Sequence, residues 1–199
     1  MKDKNKDKTM NDKKTNHSYS SRCLPVPVTL AAMALLAFES ISATRASEDN
    51  RAAELPSPLC DRLQVQGARV AFHAYALGVQ IYRWDGTSWA FVAPSARLFA
   101  DAEYHAEVGI HYAGPTWESN SGGKVIASRV ESCAPDPTAI PWLLLQAVST
   151  EGPGIFDRVT SVQRVNTAGG LPPTTPGSYI GAQEEVPYTA EYYFYSDQH

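Results

Sequence analysis

Lysine is nearly missing from most of this 199-residue chain: after residue 46 only Lys124 remains. With the arginines, residues 47–199 hold nine basic groups against seventeen acidic ones, a net charge of −8 where the whole chain carries −4. That balance excludes nucleic acid and anionic lipid as partners, because phosphate contacts need clustered Lys and Arg. The basic groups that remain are almost all Arg, whose rigid fork suits fixed hydrogen bonds better than a mobile surface charge. Cysteine is scarce too, with three in the whole chain, Cys23, Cys60 and Cys133. No apolar run reaches the roughly 20 residues that a membrane-crossing helix needs. A Gly-x-Ser-x-Gly elbow and the cysteine signatures of thiol hydrolases are absent, which removes the common routes to nucleophilic catalysis. No phosphate-cradling glycine loop opens a helix, so no nucleotide is expected, and no other cofactor is implied.

What is present begins with an address. Seven Lys and Arg residues precede Cys23, the apolar run "LPVPVTLAAMALLAF" spans 24–38, and Thr44 and Ala46 stand at −3 and −1 of a cut after Ala46. This is the layout of a secretory signal peptide over residues 1–46, and it predicts export to a periplasmic or extracellular space without stable membrane insertion after cleavage. The unusually long basic segment leaves an uncleaved anchor as the alternative. Cys23 precedes the apolar run, the wrong side for lipid attachment. Residues 47–58 read as a polar leader and 59–199 as a single domain, long enough to bury about 70% of its unfolded surface without staples. An oxidising compartment permits Cys60 and Cys133 to pair. Two separate buried thiols are the equal alternative.

Along the domain the apolar pattern has period two. "ARVAFHAYA" sets Val70, Phe72 and Ala74 on one face and His73 and Tyr75 on the other. "VPYTAEYYFY" sets Val186, Tyr188, Ala190, Tyr192 and Phe194 against Pro187, Thr189, Glu191, Tyr193 and Tyr195. In "EVGIHY" the apolar set is Val108, Ile110 and Tyr112, with His111 opposite. "VQIYRW" and "WAFVA" flank Asp85-Gly86, a strong hairpin signal. Aromatic and β-branched residues fill these runs, while Gly, Pro, Asn and Asp fill the gaps. One run, "IPWLLLQAV", is continuously apolar; Pro141 at a first-turn position favours a short helix there over a buried strand, which periodicity alone does not separate. The fold class is all-β: a single antiparallel β-sandwich or β-barrel with at most one or two short helices.

Five strings in this order, "GVQIYRW", "GIHYAGPTWE", "IPWLLLQA", "VTSVQRVNTAGGLPP" and "VPYTAEYYFY", give the chain a resemblance to the domain-of-unknown-function family 3455. The resemblance covers Leu55 to Tyr195 and implies a small exported β-rich domain with no established activity. Cysteines common in that family would stand at Arg83 and near Thr174 and Thr175, so any family disulfide joining that strand to that loop is missing here. The family's frequent Asp-Gly-Ser turn reads Asn120-Ser121-Gly122-Gly123.

Among residues that could carry chemistry, His73, His105 and His111 are the weak metal candidates, with Glu107 or Glu118 to complete a set. The six-residue spacing of His105 and His111 fits neither one helix face nor one strand face. Surface or hydrogen-bonded histidines are the plainer reading. Paired carboxylates on so acidic a surface are better read as solvated charge than as glycosidase machinery. Aromatic density is the better lead. Tyr82 and Trp84 share a strand face with Gln80, a surface suited to stacking on a sugar or a flat molecule, unless a loop covers it. "AGPT" reads as a turn and "WESNSGG" as a loop tip. There Trp117 and Glu118 with His111 form either a ligand-facing lip or a corner in which Trp117 caps the core. Arg164 is expected to pack its stem under the Gly/Pro-rich loop 166–181 and to bind loop carbonyls or a carboxylate. These features favour a non-catalytic module for a small molecule or a glycan. A small metal-dependent or redox enzyme using the histidines, and a self-associating surface protein, are the alternatives.

Overall fold

The period-two runs become eight antiparallel strands in the computed structural model, which describes residues 51–197. The expected signal segment with Cys23, residues 47–50 of the leader, and His199 lie outside the described residues. After a single 3-10 turn at Asp61–Leu63 come β1 (Ala68–Trp84), β2 (Trp89–Phe99), β3 (Glu107–Tyr112) and β4 (Thr116–Ser119). The chain continues with β5 (Lys124–Cys133), β6 (Trp142–Glu151), β7 (Val159–Gly169) and β8 (Gln183–Asp197). Each strand pairs with the next, and β8 returns to pair with β1 along nearly its whole length, from Ala68↔Asp197 to Arg83↔Gln183. The sheet is therefore a closed barrel rather than a sandwich, and closure leaves no free edge for another chain to extend.

Alternation decides what fills the barrel. β8 sends Tyr188, Ala190, Tyr192 and Phe194 inward, all nearly inaccessible to solvent. Facing them, β1 offers Ala74, Ala76 and Gly78, small residues where the wall comes closest to its neighbour. A Cβ on Gly78 would meet the Ser95 carbonyl oxygen at 2.2 Å, so only glycine fits against β2 there. One end of the barrel is closed by rings: Phe156 lies 4.7 Å from Phe194 and 6.1 Å from Phe72.

Two expectations are corrected. In β3 the alternation holds but the faces are exchanged: His111 is buried inside, and Ile110, 42% exposed, points outward. The inward position opposes an aromatic neighbour on β4, and a neutral imidazole stacks there where an isoleucine would not. "IPWLLLQAV" is a strand, not a helix. Its stretch Trp142–Leu145 is apolar without interruption because that part of β6 is covered on both faces, whereas Gln146 is exposed and Val148 is 62% exposed. Leu145 faces the barrel core, whereas Trp142 and Leu144 pack outside with Leu63, Val165 and Tyr193.

That outer layer is fastened covalently. Cys60 and Cys133 form a disulfide with a Cα–Cα separation of 5.5 Å, bringing the leader and the 3-10 turn over the outer face of β5 to β8. Gln163 completes the attachment: its amide donates to the Leu63 carbonyl and its carbonyl accepts from the Tyr195 hydroxyl. The bridge spans 73 residues of chain. A loop of that length restricts the unfolded ensemble enough to stabilise the fold by about 3–4 kcal/mol in the chain-entropy description. Paired Cys60→Ser and Cys133→Ser substitutions should lower the urea unfolding free energy by that amount, and thiol titration of the unfolded parent domain should find both thiols blocked.

Candidate functional site

The barrel end opposite the ring plug is open. There residues near the ends of β1, β3 and β5 and the starts of β2, β4 and β6, with Arg164 of β7 and Tyr192 of β8, surround a cavity of about 480 Å³. This volume lies within the roughly 300–1,000 Å³ range of small-molecule pockets. The floor is aromatic. His111 and Trp117, register partners across β3 and β4, stack with centroids 4.4 Å apart and planes 9° from parallel. Tyr192 meets both edge-on, at 5.1 and 5.3 Å. The walls are Tyr82, Phe91, Leu143 and Leu145, and the rim carries Arg129, Arg164 and the Gly114-Pro115 turn.

Each polar lining group has a fixed posture. His111 Nδ1 donates to the Thr116 carbonyl at 2.8 Å, which leaves Nε2 as an unprotonated acceptor. Burial drives the imidazole from an ordinary 6.5 down to about 3, and the positive charge of Arg164 pushes the same way, while the bond to Thr116 opposes them. The ring is neutral whenever the barrel is folded near neutral pH. Tyr82 donates its hydroxyl to the Gly170 carbonyl at 2.6 Å, and burial holds its pKa above the ordinary phenol value. Arg164 donates through Nε and Nη2 to the Pro141 carbonyl at 3.2 and 2.8 Å. Among the described residues lining the cavity, the buried Trp117 indole N–H lacks a hydrogen-bond partner, whereas the Gln80 amide lies within reach of the Tyr188 hydroxyl.

The residues singled out from sequence separate into three groups. His111, Trp117, Tyr82 and Arg164 come together at the cavity. Trp117 is not on a loop tip but in β4, 1% exposed, so it is a core ring and the cavity floor at once. Glu118 follows it in the same strand and therefore faces outward, where it accepts from the Tyr112 hydroxyl at 2.8 Å and lies 3.6 Å from the Lys124 ammonium. Trp84 does not join the cavity. It packs on Trp89 and under the loop between β7 and β8, which begins only after Gly169 because Asn166 to Gly169, expected in the loop, belong to β7; a Cβ on Gly177 would come within 2.6 Å of Trp84. That loop is docked by Tyr82 on Gly170, by the Trp89 indole donating to Thr175 at 2.8 Å, and by Gly177 on Trp84. Arg164 does not bind the loop between β7 and β8 or a carboxylate; it donates to the carbonyl of Pro141, just before β6.

The other two histidines lie elsewhere. His73 sits outside the barrel, stacked 4.0 Å from Tyr193 and bonded at 2.9 Å to Glu191. Burial alone would raise the Glu191 pKa, but hydrogen bonds from His73, Asn166 and Tyr193 hold it below the ordinary value. His105 lies in the β2–β3 turn near Asp101 and Glu103, with ligand atoms within 4.8 Å of one another. The Asp101 carboxylate there already accepts the backbone N–H groups of His105 and Ala106, which is turn capping. The three histidines thus do not form one set. Sequence reasoning missed Phe91, Arg129, Leu143 and Leu145 as lining residues. Tyr192 was legible as an inward residue but not as part of a cavity.

Fold and cavity define a closed, eight-stranded up-and-down barrel with one open, aromatic-floored mouth. The chain belongs to the family described as a protein of unknown function, DUF3455, whose profile matches residues 65–196. No curated protein and no solved structure matches it.

The buried imidazole sets a pH dependence. The unfolded chain takes up a proton at His111 below about 6.5 and the folded chain does not until about 3. Its contribution to stability is therefore complete above pH 6.5 and is lost progressively as the pH falls toward 3. Urea unfolding of the parent should weaken between about pH 6.5 and pH 5, above the range in which carboxylates titrate. His111→Gln, which keeps an amide donor for Thr116, should flatten that limb; an unchanged slope would mean that His111 is not the group responsible.

Proposed function

We propose that this domain is a non-catalytic binding module that takes one small, largely apolar molecule into the barrel mouth. The observation that carries the reading is the cavity itself: open at one end, floored by stacked His111 and Trp117, and walled by aromatic and aliphatic side chains. An eight-stranded barrel has an interior that side chains just fill or that holds one small ligand. Here the plugged end does the first and the open end has room for the second. A concave site favours a compact molecule over an extended glycan, since Trp84, the best exposed platform in the sequence pattern, is covered by Gly177.

The enzyme alternative gains no support from the geometry, because His73, His105 and His111 occupy separate places and His111 is engaged with Thr116. Self-association through strand pairing is disfavoured by the closed sheet. An exported setting is part of the proposal, and two features support it: the basic-then-apolar segment ending at Ala46, and a disulfide of the kind that persists in oxidising compartments. Mass spectrometry of protein recovered from its native compartment should give a chain beginning at Ser47.

Ligand screening by thermal shift and tryptophan fluorescence tests the binding reading. A molecule present at about 100 times its Kd should stabilise the fold by about 2.7 kcal/mol. It should also perturb emission through Trp117. Leu143→Trp, which fills the cavity from its wall, should abolish both responses while leaving the barrel folded. Retained binding in that variant would place the ligand elsewhere and end the proposal.

A further inference from the structure

We infer that the barrel mouth selects an organic acid: a molecule with an apolar, flat or aliphatic body that ends in an anionic group placed at the rim between Arg129 and Arg164. The inference rests on the cavity-binding reading above and deepens it. Its starting point is a charge inversion. Residues 47–199 carry a net charge of −8, yet among the described residues that line the cavity two are arginines and none is Asp or Glu. An acidic protein that places two of its nine basic groups at one otherwise apolar mouth has created a local positive potential there, and clefts with low-dielectric walls focus such a field.

Neither arginine is neutralised from within. Arg164 spends two of its donors on one backbone carbonyl, that of Pro141, and its charge is felt by Tyr82, Tyr188 and Tyr192, whose phenols burial keeps neutral. Arg129, on the strand two places away around the barrel, has no ion-pair or hydrogen-bond partner among the described residues, although acidic groups are abundant elsewhere on the surface. Among the other described arginines Arg97 is bound to Glu107 and Arg62 lies 4.0 Å from Glu131, while Arg69, Arg83 and Arg158 stand without such a partner as Arg129 does, so what sets Arg129 apart is its place on the cavity lining. A further polar atom points to the same chemistry. The Trp117 Nε1 donor has no hydrogen-bond partner among the described residues, so a complementary ligand supplies an acceptor. A planar carboxylate or a sulfonate matches a guanidinium fork, and a ring or short chain behind it matches the His111–Trp117 floor.

A pair of probes with one body and different charge tests this. 8-Anilinonaphthalene-1-sulfonate carries an anion, and N-phenyl-1-naphthylamine is the same aromatic body without it. Titrated into the disulfide-intact domain, the sulfonate should bind about 10- to 100-fold more tightly, the ratio expected of one charge-assisted hydrogen-bonded contact. Its affinity should fall as salt is raised, and the amine's should not. Arg129→Gln, an exposed change outside the core, should remove about tenfold from the sulfonate and leave the amine unchanged. Leu143→Trp should block both, and 2-naphthoate should displace the sulfonate where 2-naphthamide does not. Equal affinities for the two probes, or a sulfonate indifferent to Arg129→Gln, would overturn acid selection while leaving a general apolar cavity standing. Failure of both probes to bind, or binding that survives Leu143→Trp, would overturn the cavity reading along with it.

Discussion

The pairing of β8 with β1 is the constraint on which the remainder of this structure depends. Fifteen register partners join the first long strand to the last, so the chain's two ends meet across one ladder. Until that ladder forms, every other strand pair belongs to an open meander with two exposed edges. Once it forms, the sheet acquires an inside of fixed width, and the residues of eight strands must share it. The division is unequal. Tyr188, Tyr192 and Phe194 from β8 cross the interior, and β1 answers with Ala74, Ala76 and Gly78. Large side chains opposite small ones are how a narrow barrel is filled without voids or overlap.

Closure also explains why the second covering layer matters. A barrel wall has an outer face, and β6 and β7 carry Leu144 and Val165 there. Leaving those groups to solvent would cost the wall its burial on one side. The segment around Leu63 lies over them, held by the Cys60–Cys133 bridge and by Gln163, whose two ends satisfy a carbonyl and a hydroxyl buried beside it. A buried amide in that position is stabilising only because both ends are matched; removing either partner would leave an orphan.

How much of this was legible in the sequence follows from what a period of two can and cannot encode. It encodes which residues share a face, so Tyr188, Tyr192 and Phe194 were readable as one set, as were Gln80, Tyr82 and Trp84. It does not encode which face is inward when both sides hold large residues. That is why "EVGIHY" was inverted: Ile110 looks like core, yet His111 goes in because Trp117 across the ladder offers it a flat partner and Thr116 a carbonyl. Nor does it distinguish a helix from a strand covered twice, since "WLLL" owes its unbroken apolar character to a leader arriving from more than seventy residues away. The disulfide itself was one of two open readings, because pairing depends on where that leader runs.

The cavity was less legible still, for a reason of the same kind. Its walls come from strand ends far apart in sequence, such as Phe91, Arg129 and Leu143, and each is unremarked in its own strand. Only Trp117 stood out locally, and it was read beside Glu118 as though adjacent residues could face one ligand. Within a strand they cannot: one step along β4 turns Trp117 inward and Glu118 out to Lys124. The same single step separates an acidic exterior from a mouth that holds arginine without acid. The outward set of positions can gather carboxylates for solubility while the inward set near the mouth does not, because alternation keeps the two sets on opposite sides of one wall. An eight-stranded barrel thereby carries two electrostatic surfaces on one short sequence, and the inner one is invisible to any sum of charge along the chain.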